Sequence, residues 1–337
     1  MSSWTYSKAG VDISSISKLH EIALKKALKV NELLKVNYGG VGGFAGWVDV
    51  NGVQLVLHCD GVGTKSIIAN ILDKYWVIGW DSVIVNVNDV VCNGVRPIAL
   101  VSYIAMREPN EKAFTDIMSG IEEAALNCKV AIIGGETAVL PDLINGVDVS
   151  CTLLGIREVK RDIVASKGDV VLGLPSSGLH ANGYSLARKV VEATVGYNAF
   201  VDSINLSEEL MKPTMNYGPL ILEAFNEGLI TSAAHITGGS FRKVKRILRS
   251  CCDIVLKAPK PPKIFEVIMG LGKVSISEMY RVFNMGVGMV VTLPEGNVGR
   301  FKGIASKYGL EVLDLGYVVG GTGRVVVNTY YGDVVEF

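Results

Sequence analysis

Glycine is not scattered through this chain. At least eleven of its 38 glycines fall in four short clusters, at 39–46, 61–63, 134–135 and 238–239. The densest, Gly39-Gly40-Val41-Gly42-Gly43-Phe44-Ala45-Gly46, disfavours regular structure and leaves backbone N–H groups open to an anion. Its neighbours Val36, Tyr38 and Trp47 are apolar, whereas a flexible linker carries serine and other polar residues. It matches neither the Walker pattern nor a strand followed by G-x-G-x-x-G. The glycines therefore mark bare backbone between ordered elements.

Between the clusters, hydrophobic spacing gives the elements. Ile16, Leu19, Ala23, Ala27, Val30 and Leu34 recur at helical intervals and predict a helix over 16–36. A strand is expected at 53–59, and a helix at 66–72 follows the turn after it. Residues 80–93 are rich in strand formers, but their period is helical. Trp80, Val83, Ile84, Val87 and Val91 share one stripe, and Ser82, Asn86, Asp89 and Asn93 the opposite one. Short amides in place of Lys and Glu make this a buried polar site rather than a solvated face. Further strands are expected at 98–105, 129–133, 148–157, 169–174, 287–293 and 311–319. The remaining helices are expected at 111–127, 183–193, 216–227 and, strongly basic, 240–249. Strict βαβ units are missing, so the fold class is α/β (α+β) with mixed sheets. The polar stretch 158–168 divides the 337 residues into domains 1–165 and 166–337.

Three segments deliver an acid beside bare or small polar backbone. Asp60-Gly61-Val62-Gly63-Thr64-Lys65 follows a strand, Asn88-Asp89 lies on the polar helix stripe, and Gly134-Gly135-Glu136-Thr137 follows another strand as a Gly-Gly turn. Carboxylates with a lysine and helix N–H groups suit Mg²⁺ and phosphate. A fourth segment, Ser176-Ser177-Gly178-Leu179-His180-Ala181-Asn182-Gly183, places a histidine and an amide where a strand passes into a helix. A histidine in so polar a loop suits proton transfer. In a fifth, His235-Ile236-Thr237-Gly238-Gly239 precedes Arg242, Lys243, Lys245, Arg246 and Arg249. The glycines make a phosphate cradle, and the basic run is expected on a solvated helix face.

The segments DGVGTK, VND, GGET, LPSSGLHANGYSLARK, HITGG and EMYRVFNMGVGM, in this order, resemble the aminoimidazole ribonucleotide synthetase family, the phosphoribosylformylglycinamidine cyclo-ligases of purine biosynthesis. DGVGTK and GGET are shared with a wider superfamily that includes selenophosphate synthetase and thiamine-monophosphate kinase. The GLHANGYSL and EMYRVFNMGVGM segments narrow the match. The resemblance implies an N-terminal domain whose mixed sheet forms an intersubunit barrel in a homodimer, beside a C-terminal mixed-sheet α/β domain. It implies ATP at Gly40, Gly42, Gly43, Phe44, Gly61, Gly63, Thr64, Lys65, Asn88, Gly135 and Thr137, and Mg²⁺ at Asp60, Asp89 and Glu136. The reaction implied is ATP-dependent cyclisation of formylglycinamidine ribonucleotide. His180 is then expected to move a proton, Asn182 to orient substrate, and Thr237, Gly238 and Gly239 to hold its phosphate. Departures from the family pattern include Met215 at a usual arginine and Ser240 at a third glycine. A sister phosphoryl-transfer enzyme and a non-catalytic nucleotide-binding scaffold are the alternatives.

Charge and cysteine usage narrow the setting. Lys+Arg and Asp+Glu are 33 each, so there is no positive field for nucleic acid or an anionic membrane. Val170–Ala187, the longest stretch without a charge, contains Pro175 and three glycines and is no membrane span. Six cysteines without C-x-x-C spacing predict reduced thiols and a cytoplasmic protein.

Overall fold

The computed structural model describes residues 3–337. The N-terminal half runs α1 (Ile13–Leu33), β1 (Tyr38–Gly39), β2 (Trp47–Val50), β3 (Val53–Gly61), α2 (Lys65–Leu72) and α3 (Trp76–Val91). It continues with β4 (Val95–Met106), α4 (Glu111–Cys128), β5 (Ala131–Val139) and β6 (Val147–Arg157). Its six strands form one mixed sheet in the order β1-β2-β3-β6-β4-β5, antiparallel except for the parallel β4–β5 pair.

The C-terminal half begins with β7 (Val170–Pro175), α5 (Tyr184–Glu192), a small hairpin of β8 (Phe200–Val201) and β9 (Ile204–Asn205), α6 (Leu206–Glu209) and α7 (Gly218–Asn226). There follow β10 (Ser232–His235), a 3₁₀ helix at Ser240–Ile247, β11 (Cys252–Lys257), α8 (Lys263–Gly272) and α9 (Ile276–Val282). The chain ends with β12 (Val287–Leu293), α10 (Val298–Lys307), β13 (Leu313–Gly320), β14 (Val325–Asn328) and β15 (Val334–Glu336). The second sheet has the order β10-β12-β7-β13-β11-β14-β15 and is also mixed. Strands β7 and β12 are covered on both faces, every residue of β12 being buried, whereas β13 leaves Tyr317 and Val319 exposed.

The first sheet is covered on one face only. On β3, Val56 is buried while Leu57 beside it is 69% exposed. The covered face receives α3, which is enclosed on every side. Val83, Ile84, Val87, Val90 and Val91 are all buried, each burial contributing roughly 1.5–3 kcal/mol. Helix α4 lies close against α3 because Gly79 and Gly120 sit at the crossing. A Cβ on Gly79 would strike the Ile117 carbonyl, and one on Gly120 the Trp76 carbonyl. The other side of α3 meets the second half, where Trp80 Nε1 donates to the Thr214 carbonyl at 2.8 Å.

Some elements differ from the sequence expectation. Strand β3 continues through Asp60 to Gly61, and β5 runs straight through Gly134-Gly135-Glu136-Thr137 instead of turning there. Gly135 permits this: its Cβ would stand 2.7 Å from the Ser102 carbonyl on β4, beside a register shift at Leu100/Val101. The basic segment is a 3₁₀ helix ending at Ile247. Among the described residues, no helix is long and apolar enough to cross a membrane.

Candidate active site

A cleft of about 630 Å³ opens where the end of β3 faces the loop after β10. Asp60 lines it from the first sheet, and Asn182, Thr237, Gly238 and Gly239 from the second half. Arg242, Lys243, Lys245 and Arg246 of the 3₁₀ helix form one wall; Tyr6 and the Ile16, Ser17 and His20 side of α1 form the other. Gly238 is bare for a reason, since a Cβ there would sit 3.0 Å from Asn182 Oδ1. The Arg246 guanidinium lies 4.7 Å from the centre of the Phe44 ring, which ties the glycine-rich segment to this wall. The segment is tied a second time by Asn93 Nδ2, which donates to the Ala45 carbonyl at 2.8 Å. Four cations against one carboxylate make this a site for a strongly anionic ligand. Burial and the charge of Arg246 push Lys243 down, while Asp89 and Asp60 pull it back.

Beside the cleft, α3 carries a largely buried polar seam. Asp89 Oδ1 is 2.7 Å from His235 Nδ1, and Asp89 Oδ2 is 3.5 Å from His58 Nε2. His58 Nδ1 is 2.7 Å from Asn86 Oδ1. Burial pushes the Asp89 carboxyl up, but hydrogen bonds and charge from His235 and His58 win and hold it below the usual range. Burial pulls His58 down, yet the Asp89 hydrogen bond and charge leave it raised. Asp60, at the seam's cleft end, is raised by burial and the nearby Asp89 charge, against the Gly61 N–H that it accepts at 2.8 Å.

His180 stands next to this seam. It is buried with φ 63°, and its Nε2 accepts the Ser177 N–H at 3.2 Å. Its ring centroid is 6.5 Å from that of His235 and 6.1 Å from Tyr217. Burial, then the charges of His235 and Lys65, hold it well below the ordinary histidine range, so it is a neutral imidazole. Its Nδ1, like Nε2 of His235, is buried with no hydrogen-bond partner among the described residues.

The remaining sequence candidates separate. Lys65 does not reach the cleft: it is fully buried, with Nζ 2.6 Å from Asp81 Oδ2. Thr64 Oγ1 lies 3.2 Å from Ser185 Oγ. Asn88 holds the segment before α7, donating to the Met215 carbonyl and accepting the Tyr217 N–H. Gly63 is exposed at φ 62° with open space around it. Gly40, at φ 70°, makes a tight turn in which a Cβ would stand 2.8 Å from the Ala45 carbonyl; Gly42 and Gly43 are exposed beyond it.

The three acids do not assemble within one chain. Gly61, Ser150, Tyr103 and Glu136 occupy one row across β3, β6, β4 and β5. At ~4.8 Å per strand, Glu136 is roughly 14 Å from the Asp60 end of β3. Gly135, Glu136 and Thr137 all lie exposed on the edge strand. Among the described residues, no group of three or more His, Cys, Asp or Glu is placed to hold a metal.

Similarity to known proteins settles the family. Models described as AIR synthase related protein match residues 42–157 (N-terminal domain) and 166–328 (C-terminal domain). A phosphoribosylformylglycinamidine cyclo-ligase of Saccharolobus solfataricus is 39% identical over 344 residues, covering 100% of both chains. The protein of that name from Pyrococcus furiosus is 39% identical over 330 residues, covering 96% of this chain and 98% of its own. The chain belongs to the AIR synthase family. Solved structures share the fold of this AIR synthase family member at lower identity. The structure "AaThiL complexed with AMPPCP and TMP" has a TM-score of 0.64 at 20% identity, covering 93% of this chain and 94% of its own. The hydrogenase maturation protein HypE in complex with ATP has 0.62 at 18%, covering 86% and 85%.

Two groups in this AIR synthase site went unassigned in the sequence pattern. The cleft cations were visible as a basic run but were expected in solvent; the glycine pair just ahead of them was the available signal. His58 and His235 stand inside or beside the DGVGTK and HITGG segments. Three of the chain's four histidines lie in or next to such segments, and that concentration was the trace of the seam.

Proposed function

We propose that this chain catalyses the ATP-dependent cyclisation of formylglycinamidine ribonucleotide to aminoimidazole ribonucleotide, with release of ADP and phosphate, in purine biosynthesis. The reading rests on the 39% identity to a cyclo-ligase along the full length of both chains, and the charge of the cleft supports it. An amide oxygen is a poor leaving group, so ATP phosphorylates it and the oxygen departs as phosphate. The substrate's own nitrogen then closes the ring, an intramolecular step that alignment alone accelerates strongly. Phosphoryl transfer asks chiefly for neutralisation and alignment. Lys243 and Arg246 supply positive charge, the Thr237–Gly239 backbone cradles a phosphate, and Asn182 orients the substrate. His180 is neutral and accepts the Ser177 N–H at Nε2, so its ring proton sits on the unpartnered Nδ1, and it is the candidate to donate that proton. Mg²⁺, when bound, would add charge neutralisation, with Asp60 as the carboxylate on the cleft together with phosphate oxygens and water.

Residues 1–165 form the ATP-binding and dimerisation domain in this reading, and 166–337 the C-terminal domain. The uncovered face of the first sheet carries the dimer. Leu57 is 69%, Tyr103 42% and Ile133 66% exposed there, an apolar surface of the kind that marks an interface. A second copy would cover it and complete the intersubunit barrel; a monomeric mass in sedimentation equilibrium would remove this element. The six cysteines are free, as suits the cytoplasm. The test is direct: supply formylglycinamidine ribonucleotide, ATP and Mg²⁺ and follow the aromatic amine with stoichiometric ADP. ATP turnover only with a different acceptor would overturn the cyclo-ligase reading in favour of a sister enzyme.

A further inference from the structure

Lys65 follows Asp60 by five residues and opens α2, the place where a lysine would meet a phosphate. Its ammonium is instead fully engaged. Nζ donates to Asp81 Oδ2 at 2.6 Å, to the His180 carbonyl at 2.9 Å and to the Lys212 carbonyl at 2.7 Å. An ammonium has three donors, so none remains for a ligand. Both side chains of the ion pair are wholly buried, and the second Asp81 oxygen accepts the Thr214 N–H at 2.7 Å. One dry point thus joins α2 and α3 to two segments of the second half. The His180 segment is the more demanding of the two, because His180 adopts φ 63°, a left-handed conformation costly for any residue but glycine. Asn182, two residues on, lines the cleft.

We propose that Lys65 is a positioning residue: paired with Asp81, it pins the His180 loop and the 212–214 segment to the first half and so keeps Asn182 facing Asp60 across the cleft. The ion pair is an expensive element to bury, and one partner without the other would leave an uncompensated charge. Such a pair is well suited to fixing one arrangement of the two halves. Only the kinetic arm of the test rests on the cyclo-ligase reading.

The experiment compares Lys65→Gln, Asp81→Asn and the double variant Lys65→Met/Asp81→Met, which buries no charge. Far-UV circular dichroism establishes the folded fraction. Steady-state kinetics, equilibrium binding of a non-hydrolysable ATP analogue with Mg²⁺, and hydrogen exchange at 176–182 and 212–214 are then measured. A misplaced cleft lowers kcat per folded molecule by about 100-fold. Analogue affinity stays within about threefold, since no ligand contact is lost, and exchange in the two segments quickens by roughly tenfold or more while β12 is unchanged. The two single losses in kcat do not add, because both remove the same pin. Loss of analogue binding in Lys65→Gln but not in Asp81→Asn would make Lys65 a phosphate ligand and overturn the proposal. Unchanged exchange, or unchanged kcat per folded molecule, would overturn it as well. Should the single variants not fold, the double variant decides by the same readings. Should the wild type lack cyclo-ligase activity, the functional reading falls, and the binding and exchange arms still decide the pin.

Discussion

The seam along α3 and the basic wall of the cleft lie side by side and use polar residues in opposite ways. In the seam, Lys65, Asp81, Asn88, Asp89 and His235 are buried; Lys65 pairs with Asp81, Asp89 with His235, and Asn88 with the backbone of Met215 and Tyr217. On the wall, Arg242, Lys245 and Arg246 are exposed and face a cavity. The seam is where the recognisable sequence segments converge, and the wall is a basic run with no pattern of its own. Within these segments, Lys65, Asn88, Asp89 and His235 serve to assemble the two halves, while Asp60, Asn182 and Thr237–Gly239 line the cleft. The positive charge on the cleft comes from the less distinctive side chains of the basic run.

The largest expected effect breaks the seam. Asp89→Ala leaves the buried His235 Nδ1 and the part-buried His58 Nε2 without their carboxylate, and should cost about 3 kcal/mol of stability, read from urea unfolding. A cost under about 1 kcal/mol would place Asp89 with the wall rather than the seam.

The pH dependence of the same pair of proteins sharpens the point. The Asp89 carboxyl is held below its ordinary value, so its contribution is present above about pH 4 and is lost as pH falls through the folded value. His58 is raised. Its contribution is full below about pH 6.5 and fades as pH rises through the folded value. The stability gap between wild type and Asp89→Ala should thus be widest between about pH 4.5 and 6.5 and narrow on either side. A gap that grows steadily toward pH 9 would contradict the assigned partners.

The wall should respond in the other currency, binding. Lys243→Ala/Arg246→Ala removes two charges from the cleft and one stacking contact on Phe44. KM for the phosphorylated ligands should rise by about tenfold or more, since charge-assisted hydrogen bonds contribute roughly 1.5–3 kcal/mol each. Stability should change by less than about 1 kcal/mol. Equal KM values with a large loss of stability would erase the distinction between wall and seam.

Much of this contrast was written in the chain. The period of residues 80–93 and their short-amide stripe gave both the helix and its buried polar side, because amphipathic spacing and side-chain size are local properties. The mixed sheets followed from the way strands and helices alternate. Local patterns could not say that Lys65 would be consumed by Asp81, sixteen residues away on another helix. Nor could they say that β5 would carry Gly134-Gly135 straight through the sheet. A glycine pair reads as a turn unless a neighbouring strand demands the space, and the Ser102 carbonyl that demands it is remote in sequence. Glu136 was set apart from Asp60 for the same reason: strand order, not spacing along the chain, fixes the distance between acids.

The smallest effect concerns the joint between the two regions. Ser240 begins the basic wall, adopts φ 50° and donates its hydroxyl to the Phe283 carbonyl while fully buried. Ser240→Gly gives up a hydrogen bond contributing about 1 kcal/mol and adds a glycine's chain entropy of roughly 0.5–1 kcal/mol. It also relieves a left-handed backbone that costs roughly 1–2 kcal/mol for a non-glycine residue. These nearly cancel, so unfolding stability should stay within about 0.5 kcal/mol of wild type. Ser240→Ala keeps the strain and loses the bond, and should cost about 1–2 kcal/mol. If the glycine variant is as damaging as the alanine variant, the hydroxyl bond dominates and the wall is anchored as firmly as the seam. If glycine is neutral and alanine is not, backbone conformation sets the wall, and its charges are free to adjust to what they bind.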